Sequence, residues 1–279
     1  MPLPRPSRLV LWLVGALAAG AGAFLACSSD PAPAPADAGV DAPVADTAPP
    51  LDAGPFVDAA TDARPDSGCV VDRGPGDAGV DLEAGVDGGD PVGDAASFTL
   101  AQAMAGFPEH DGGVLTARIT TELGEIVCRL DEAAAPVSTA NFVGLARGTR
   151  PFLKSGQWTV GKFYDGLIWH RVIPDFVIQG GDPRGTGTGG PGYSLPNENH
   201  APQDLGVLSM AASNPTPEEF LPSGSQFYVV VGKGPKSDYN VVGTCSVETA
   251  KAIAAVERRT NDKPVVPVHM NVSIERCPR

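Results

Sequence analysis

Four histidines, His110, His170, His200 and His269, are the side chains whose ordinary pKa lies nearest neutrality, and they are scattered along the chain. Metal sites need ligands at turn or helix spacing, and the sequence has neither a Cys-x-x-Cys nor a His-Glu-x-x-His run. No metal or other cofactor is therefore expected, and the histidines read as solvated or structural. There is also no Gly-x-Ser-x-Gly elbow to present a nucleophilic serine. Gly185-Thr186-Gly187-Thr188-Gly189-Gly190 has the glycine spacing that lets a backbone approach a pyrophosphate. Pro191-Gly192-Tyr193-Ser194-Leu195-Pro196 follows, however, and cannot open the helix whose N-terminus would hold the phosphate, so the run reads as a permissive loop. What remains is Arg171 among apolar residues, then Phe176 and Val177. Taken singly these are a structural ion-pair arginine and two core side chains.

The elements that would carry these residues begin near residue 113. Leu115, Ala117, Ile119, Thr121 and Leu123 alternate with polar residues, Gly124 follows, and Ile126, Cys128 and Leu130 resume the alternation, predicting two half-buried strands around a tight turn. A helix follows, with Pro136 in its first turn, Phe142 and Leu145 on one face and Gly148 as its stop. Phe227-Tyr228-Val229-Val230-Val231 reads as a fully buried strand, and Val247, Ala250, Ile253 and Ala254 as a second helical stripe. Val266, Val268, Met270, Val272 and Ile274 form one face of a last strand. Many short strands, few helices and Gly-rich connections predict a mainly β barrel or sandwich with accessory helices.

The chain has 279 residues and a formal net charge of −13, but the charge is unevenly placed. Residues 1–27 carry Arg5 and Arg8 and no acid, while residues 28–96 carry 15 acids against Arg64 and Arg73. Residues 97–279 hold 18 acids against 16 bases, so the acidity belongs to the middle segment. That segment is built from Ala, Asp, Gly, Pro and Val with repeats such as Asp77-Ala78-Gly79-Val80-Asp81. Its few large apolar groups cannot offset the ~1–2 kcal/mol per residue that backbone ordering costs, so a disordered, self-repelling tether is expected over residues 27–112. Calcium binding by the Asp repeats is the competing reading, and the irregular spacing disfavours it. The overall field repels polyanions, and nucleic acid is not expected as a partner. Residues 1–26 read as a signal peptide, with a single transmembrane anchor as the alternative. Phe24-Leu25-Ala26-Cys27 resembles the lipobox of bacterial lipoproteins, which implies lipidation at Cys27. By the same resemblance Ser28 implies the outer membrane, facing the periplasm, rather than the inner membrane.

From Phe163-Tyr164-Asp165-Gly166 through His170-Arg171-Val172-Ile173-Pro174-Asp175-Phe176-Val177-Ile178-Gln179-Gly180-Gly181-Asp182, the sequence resembles the cyclophilin family of peptidyl-prolyl cis-trans isomerases. The resemblance continues through Gly187 to Tyr193, Gly206 to Ala211 and Gly224 to Tyr228, in family order over residues 113–279. It implies a closed eight-stranded antiparallel β-barrel with a helix at each end. It further implies that Arg171 donates a hydrogen bond to the prolyl nitrogen, that Phe176, Val177 and Tyr228 form an apolar floor for proline, and that Gln179 holds Arg171 or the substrate carbonyl. Gly187, Ala211, Ala212, Gln226 and Tyr239 would complete the peptide groove. Substrates would be proline-containing peptides or unfolded chains, and the protein would be a monomer. Val177, Ala212 and Tyr228 depart from the usual Met, Asn and Phe. The stretch 214–222 is longer than the typical loop, and Lys236-Ser237-Asp238 replaces a Trp-containing one. These departures imply an altered peptide preference and weak cyclosporin binding, and they leave room for a binding module with little turnover as the rival to an enzyme.

Besides Cys27 the cysteines are Cys69, Cys128, Cys245 and Cys277. Export permits disulfides. Cys128 is expected as a buried thiol, Cys245 and Cys277 as a possible bridge between late elements, and Cys69 as a tether residue without a partner.

Overall fold

A computed structural model describes residues 68–72, 93–108, 112–199, 201–213, 221–236 and 239–278. Residues 1–26 (expected as a signal peptide), Cys27, His110, His200 and most of the stretch 214–222 lie outside the described residues. In chain order the strands are β1 (Val70–Val71), β2 (Val114–Thr121), β3 (Gly124–Leu130), β4 (Phe152–Lys154), β5 (Gln157–Thr159), β6 (Leu167–Ile168), β7 (Arg171–Val172), β8 (Val177–Gly180), β9 (Val207–Ser213), β10 (Leu221–Val230), β11 (Val241–Cys245) and β12 (His269–Cys277). The helices are α1 (Leu100–Ala103), α2 (Pro136–Arg147) and α3 (Glu248–Ala254).

Apart from the β4–β5 hairpin, the strands form one antiparallel sheet in the order β1-β12-β2-β3-β11-β9-β10-β8-β7. The run 167–172 closes it. β6 pairs with β12 and β7 pairs with β8, and between them the Trp169 N–H donates to the Val268 carbonyl and the His170 N–H to the Gln179 carbonyl. One short run thus bonds to β12 along one side and to β8 along the other. With β6 and β7 taken as that single strand, the barrel has eight strands and β1 is an added edge beside β12. Helices α2 and α3 cap it. Pro136 starts α2, and Gly148, at φ 78°, ends it in the left-handed conformation. The core is filled by Phe142, Tyr164, Trp169 and Phe227, with the Phe142 ring 5.1 Å from Tyr164 and edge-on to Phe227 at 5.4 Å.

The alternation read from sequence fails at two ends. β2 stops at Thr121, whose hydroxyl donates to the Gly124 carbonyl and accepts from the Leu123 N–H, so Leu123 sits in the turn, exposed. Val266 is also exposed, because β12 begins only at His269.

The cysteine pairing differs from expectation, and strand register gives the reason. Cys128 on β3 lies directly opposite Cys245 on β11, and the two are disulfide-bonded rather than free. Val70 pairs with Arg276, which brings Cys69 beside Cys277, and these form the second disulfide. The expected Cys245–Cys277 bridge does not form. The tether drawn through residue 112 is likewise too long. β1 joins the sheet, Asp72 forms a buried ion pair with Arg147, and α1 packs on α2 under a Thr99–Gln102 capping box. Composition hid this because each contact uses one or two residues within an Ala- and Gly-rich stretch.

Peptide mapping without reductant is expected to recover Cys69 linked to Cys277 and Cys128 linked to Cys245; a Cys245–Cys277 peptide would contradict the register. Cys69→Ser together with Cys277→Ser is expected to lower the unfolding free energy by about 2–5 kcal/mol, read from the denaturant midpoint.

Candidate active site

Strands β8, β9 and β10 are buried on both faces. Ile178, Leu208, Met210, Phe227 and Val229 enter the main core. The residues of opposite parity, Val177, Val207, Ala211, Tyr228 and Val230, form a second apolar cluster on the outer wall, with Phe176, Tyr239 and Val241 packed against it. This explains the unbroken apolar run at 227–231, since the strand lies between the core and a surface cup. Phe176 is presented by a tight turn in which Asp175 takes φ 56°, and the Phe176 carbonyl accepts from the Val231 N–H at 2.9 Å. The Tyr228 hydroxyl donates to Gln203 Oε1 at 2.7 Å, and Ser209 Oγ reaches the same atom at 2.7 Å. Burial raises the Tyr228 pKa far above its ordinary value, so the phenol stays neutral. Its ring meets Tyr239 edge-on at 5.3 Å.

Arg171 stands opposite Gln179 across the β7–β8 pair. Its side chain is 40 % exposed, with Cζ 5.9 Å from the Phe176 ring centroid and Nε 4.0 Å from Asp262 Oδ2. Gln179 does not bond Arg171. Its Nε2 donates to Gln226 Oε1 at 3.0 Å, and Gln226 Nε2 donates to the carbonyls of Gly187 and Gly189 at 3.1 and 2.8 Å. The glycine-rich loop is folded around the Asp182 carboxylate, which accepts backbone N–H groups of Arg184, Thr186 and Gly187 at 2.7, 2.9 and 2.6 Å. Burial alone would raise the Asp182 pKa, but these bonds outweigh it and hold the carboxyl below its usual value. Gly189 has no room for a side chain, since an added Cβ would fall on this carboxylate. The G-x-G-x-x-G spacing is therefore that of a loop wound on an anion of its own chain, with no helix after it to receive a phosphate.

Beside the cup, this loop and strands β9 and β10 enclose a cavity of about 470 Å³. Gln179, Gly187, Tyr193, Ala211, Ala212 and Gln226 are among its lining residues. Thus Ala211 borders both compartments, and Gln179 and Gln226 stand between Arg171 and the cavity. Ala212 lines the cavity only. Gln203, which accepts from the Tyr228 hydroxyl, carried no sequence signal, because a partner for a buried phenol can come from any loop that reaches it.

An apolar cup, a half-exposed guanidinium at its rim and an adjoining cavity offer binding surfaces and a hydrogen-bond donor. The family model for the Cyclophilin type peptidyl-prolyl cis-trans isomerase/CLD matches residues 116–277. The chain belongs to this family. Peptidyl-prolyl cis-trans isomerase A of Mycobacterium tuberculosis is 39% identical over 164 residues, covering 55% of this chain and 87% of that protein. An isomerase of Schizosaccharomyces pombe is 35% identical over 162 residues, covering 54% and 92%. A solved Cryptosporidium parvum cyclophilin-type isomerase, crystallised in the presence of the dipeptide Ala-Pro, is 28% identical with a TM-score of 0.48 and covers 57% of this chain and 98% of its own. The activity of this cyclophilin-type domain is peptidyl-prolyl cis-trans isomerisation.

In the cyclophilin-type site, His170 precedes Arg171 and is 6 % exposed, with neither ring nitrogen hydrogen-bonded. Desolvation lowers its pKa; Asp182 opposes this, and the positive charges of Lys263 and Arg171 add to it. A folded-state pKa below the unfolded value of 6.5 means that the unfolded chain binds more protons, so this contribution is present above about pH 6.5 and lost as pH falls below it. Denaturant midpoints measured from pH 8 to pH 5 are expected to fall toward acid and to fall less in His170→Asn; an unchanged slope in the variant would assign the loss elsewhere.

Proposed function

We propose that the protein accelerates X-Pro isomerisation in exported polypeptides, held in the cell envelope by a lipid on Cys27. Rotation about a peptide bond faces a barrier of ~18–20 kcal/mol because resonance gives the C–N bond double-bond character. In the twisted state that resonance is lost and the prolyl nitrogen regains a lone pair. A donor fixed beside that nitrogen bonds the twisted amide and not the planar one, so its interaction lowers the barrier rather than merely tightening binding. Arg171 is the candidate donor. The observation that carries this reading is its position at the rim of the Val177–Ala211–Tyr228 cup, half-exposed and resting near the Phe176 face. The proline ring would enter the cup, where apolar walls exclude water and leave the guanidinium to act at lower dielectric. Gln179, coupled to Gln226, would orient the adjoining carbonyl, while Gly187, Ala211 and Ala212 would receive the neighbouring peptide and Tyr239 would border the ring.

Two disulfides among the described residues support an oxidising compartment, in keeping with the export signal read at residues 1–26. The Cys27 anchor rests on the lipobox-like residues before it, and the outer membrane facing the periplasm rests on Ser28.

Arg171→Ala is expected to lower kcat/KM on a proline tetrapeptide by about 10²–10³-fold; equal rates for the two proteins would sink the mechanism. Labelled palmitate should enter the full chain but not Cys27→Ala, and equal incorporation would remove the anchor.

A further inference from the structure

The segment 93–107 lies outside the residues that match the family, yet it reaches the wall of the cavity. Arg150 follows α2 and is 1 % exposed. Its guanidinium is sandwiched between two rings, with Cζ 4.4 Å from the Phe98 centroid and 4.7 Å from the Tyr193 centroid. Nη2 donates to the Ala95 carbonyl at 3.1 Å, while Nε and Nη1 make no hydrogen bond. Among the described residues no carboxylate partners this buried cation, and it rests on two ring faces and one carbonyl, a cation–π arrangement in a desolvated place. Tyr193 lines the cavity. Its hydroxyl donates to Asn141 Oδ1 at 3.0 Å, and Asn141 Nδ2 donates to the carbonyl of Gly224, another lining residue, at 2.7 Å.

The backbone around Tyr193 is held by other contacts. The Leu153 N–H donates to the Pro191 carbonyl at 2.8 Å, the Leu195 N–H to the Pro222 carbonyl at 2.9 Å, and Ser194 bridges to Ser223. What Arg150 and Phe98 add is the setting of the Tyr193 ring, with the stack behind it and the cavity beside it. Helix α2 makes room for this stack. An added Cβ at Gly144 would lie 2.7 Å from the Phe98 ring, so a glycine stands in a helix interior where alanine would favour the helix by ~1 kcal/mol. The segment is moored by the same stretch of chain, since Arg147 donates to the Ala103 and Ala105 carbonyls and Thr149 Oγ1 to Ala103 at 3.0 Å.

We infer that the N-terminal segment is a working part of the peptide groove: Phe98, acting through Arg150, positions the Tyr193 ring and thereby sets the preference for a large side chain in the cavity. Phe98 and Arg150 are positioning residues, since neither lines the cavity. The inference rests on the isomerase reading only in taking the cavity as a peptide subsite.

The test compares two peptides that differ at the residue two places before proline, Leu in one and Gly in the other. Both kcat/KM and calorimetric Kd are measured for the full chain and for Phe98→Ala, Phe98→Leu and Phe98→Tyr. The Leu-to-Gly ratio is expected to fall by about two- to fivefold in the Ala and Leu variants, carried by KM and Kd rather than kcat, and to be kept in Phe98→Tyr. Phe98→Leu keeps apolar volume should Phe98→Ala fail to fold. Simple loss of folded protein lowers both peptides alike, so an unchanged ratio in a folded Ala or Leu variant overturns the inference. If the unaltered protein turns over neither peptide, the isomerase reading fails, and the Kd ratios still decide the role of Phe98.

Discussion

Closure of the barrel within the six residues Leu167 to Val172 is the constraint on which the site depends. The chain leaves β12 after Ile168 and joins β8 at Arg171, so the residue that completes the sheet also carries the guanidinium. Its position is thereby set by backbone bonds to two other strands, and its side chain stands across from Gln179 without needing a bond to it. A donor carried on a strand is held more precisely than one carried on a loop. Burial of Trp169 and His170 between the two pairings leaves this run little freedom to slip in register.

The polar part of the site is organised in advance of any ligand. Asp182 gathers three backbone N–H groups and so shapes the glycine loop, the loop's carbonyls fix Gln226, and Gln226 fixes Gln179. Gln203 does the same for Tyr228 from the other side. These pairings avoid the ~1–3 kcal/mol cost of a buried donor or acceptor left unbonded, whereas Arg150, Trp169, His170 and Arg276 each keep a buried side-chain nitrogen without a hydrogen bond among the described residues. For His170 the depressed pKa is the expected result of that burial.

Where one face of an element alternates, or a proline and a glycine mark its ends, the sequence was sufficient: β2, β3, α2 and α3 follow from such signals. The ordered motif from Phe163 to Tyr228 located the cup and the cavity residues, because these come from adjacent strands of one wall. Pairings made across the sheet were not legible. Cys128 meets Cys245 and Cys69 meets Cys277 through register between strands distant in the chain, and nothing local encodes it. Nothing local marks Arg150, since its partners Phe98 and Tyr193 are far from it in sequence and one belongs to a segment whose composition suggested disorder.

The Cys69–Cys277 bond has a mechanical consequence. Any pull on the chain ahead of residue 68 passes through the sulfur atoms and the adjoining β1 ladder into β12, a strand fully integrated in the barrel. The load is delivered to a strand that pairs with β1, β2 and β6 before it can reach Phe98 and α1. Tension along the leading chain is thus shunted past the segment that backs the cavity wall, and the shape of that wall is decoupled from whatever the N-terminal stretch is fastened to.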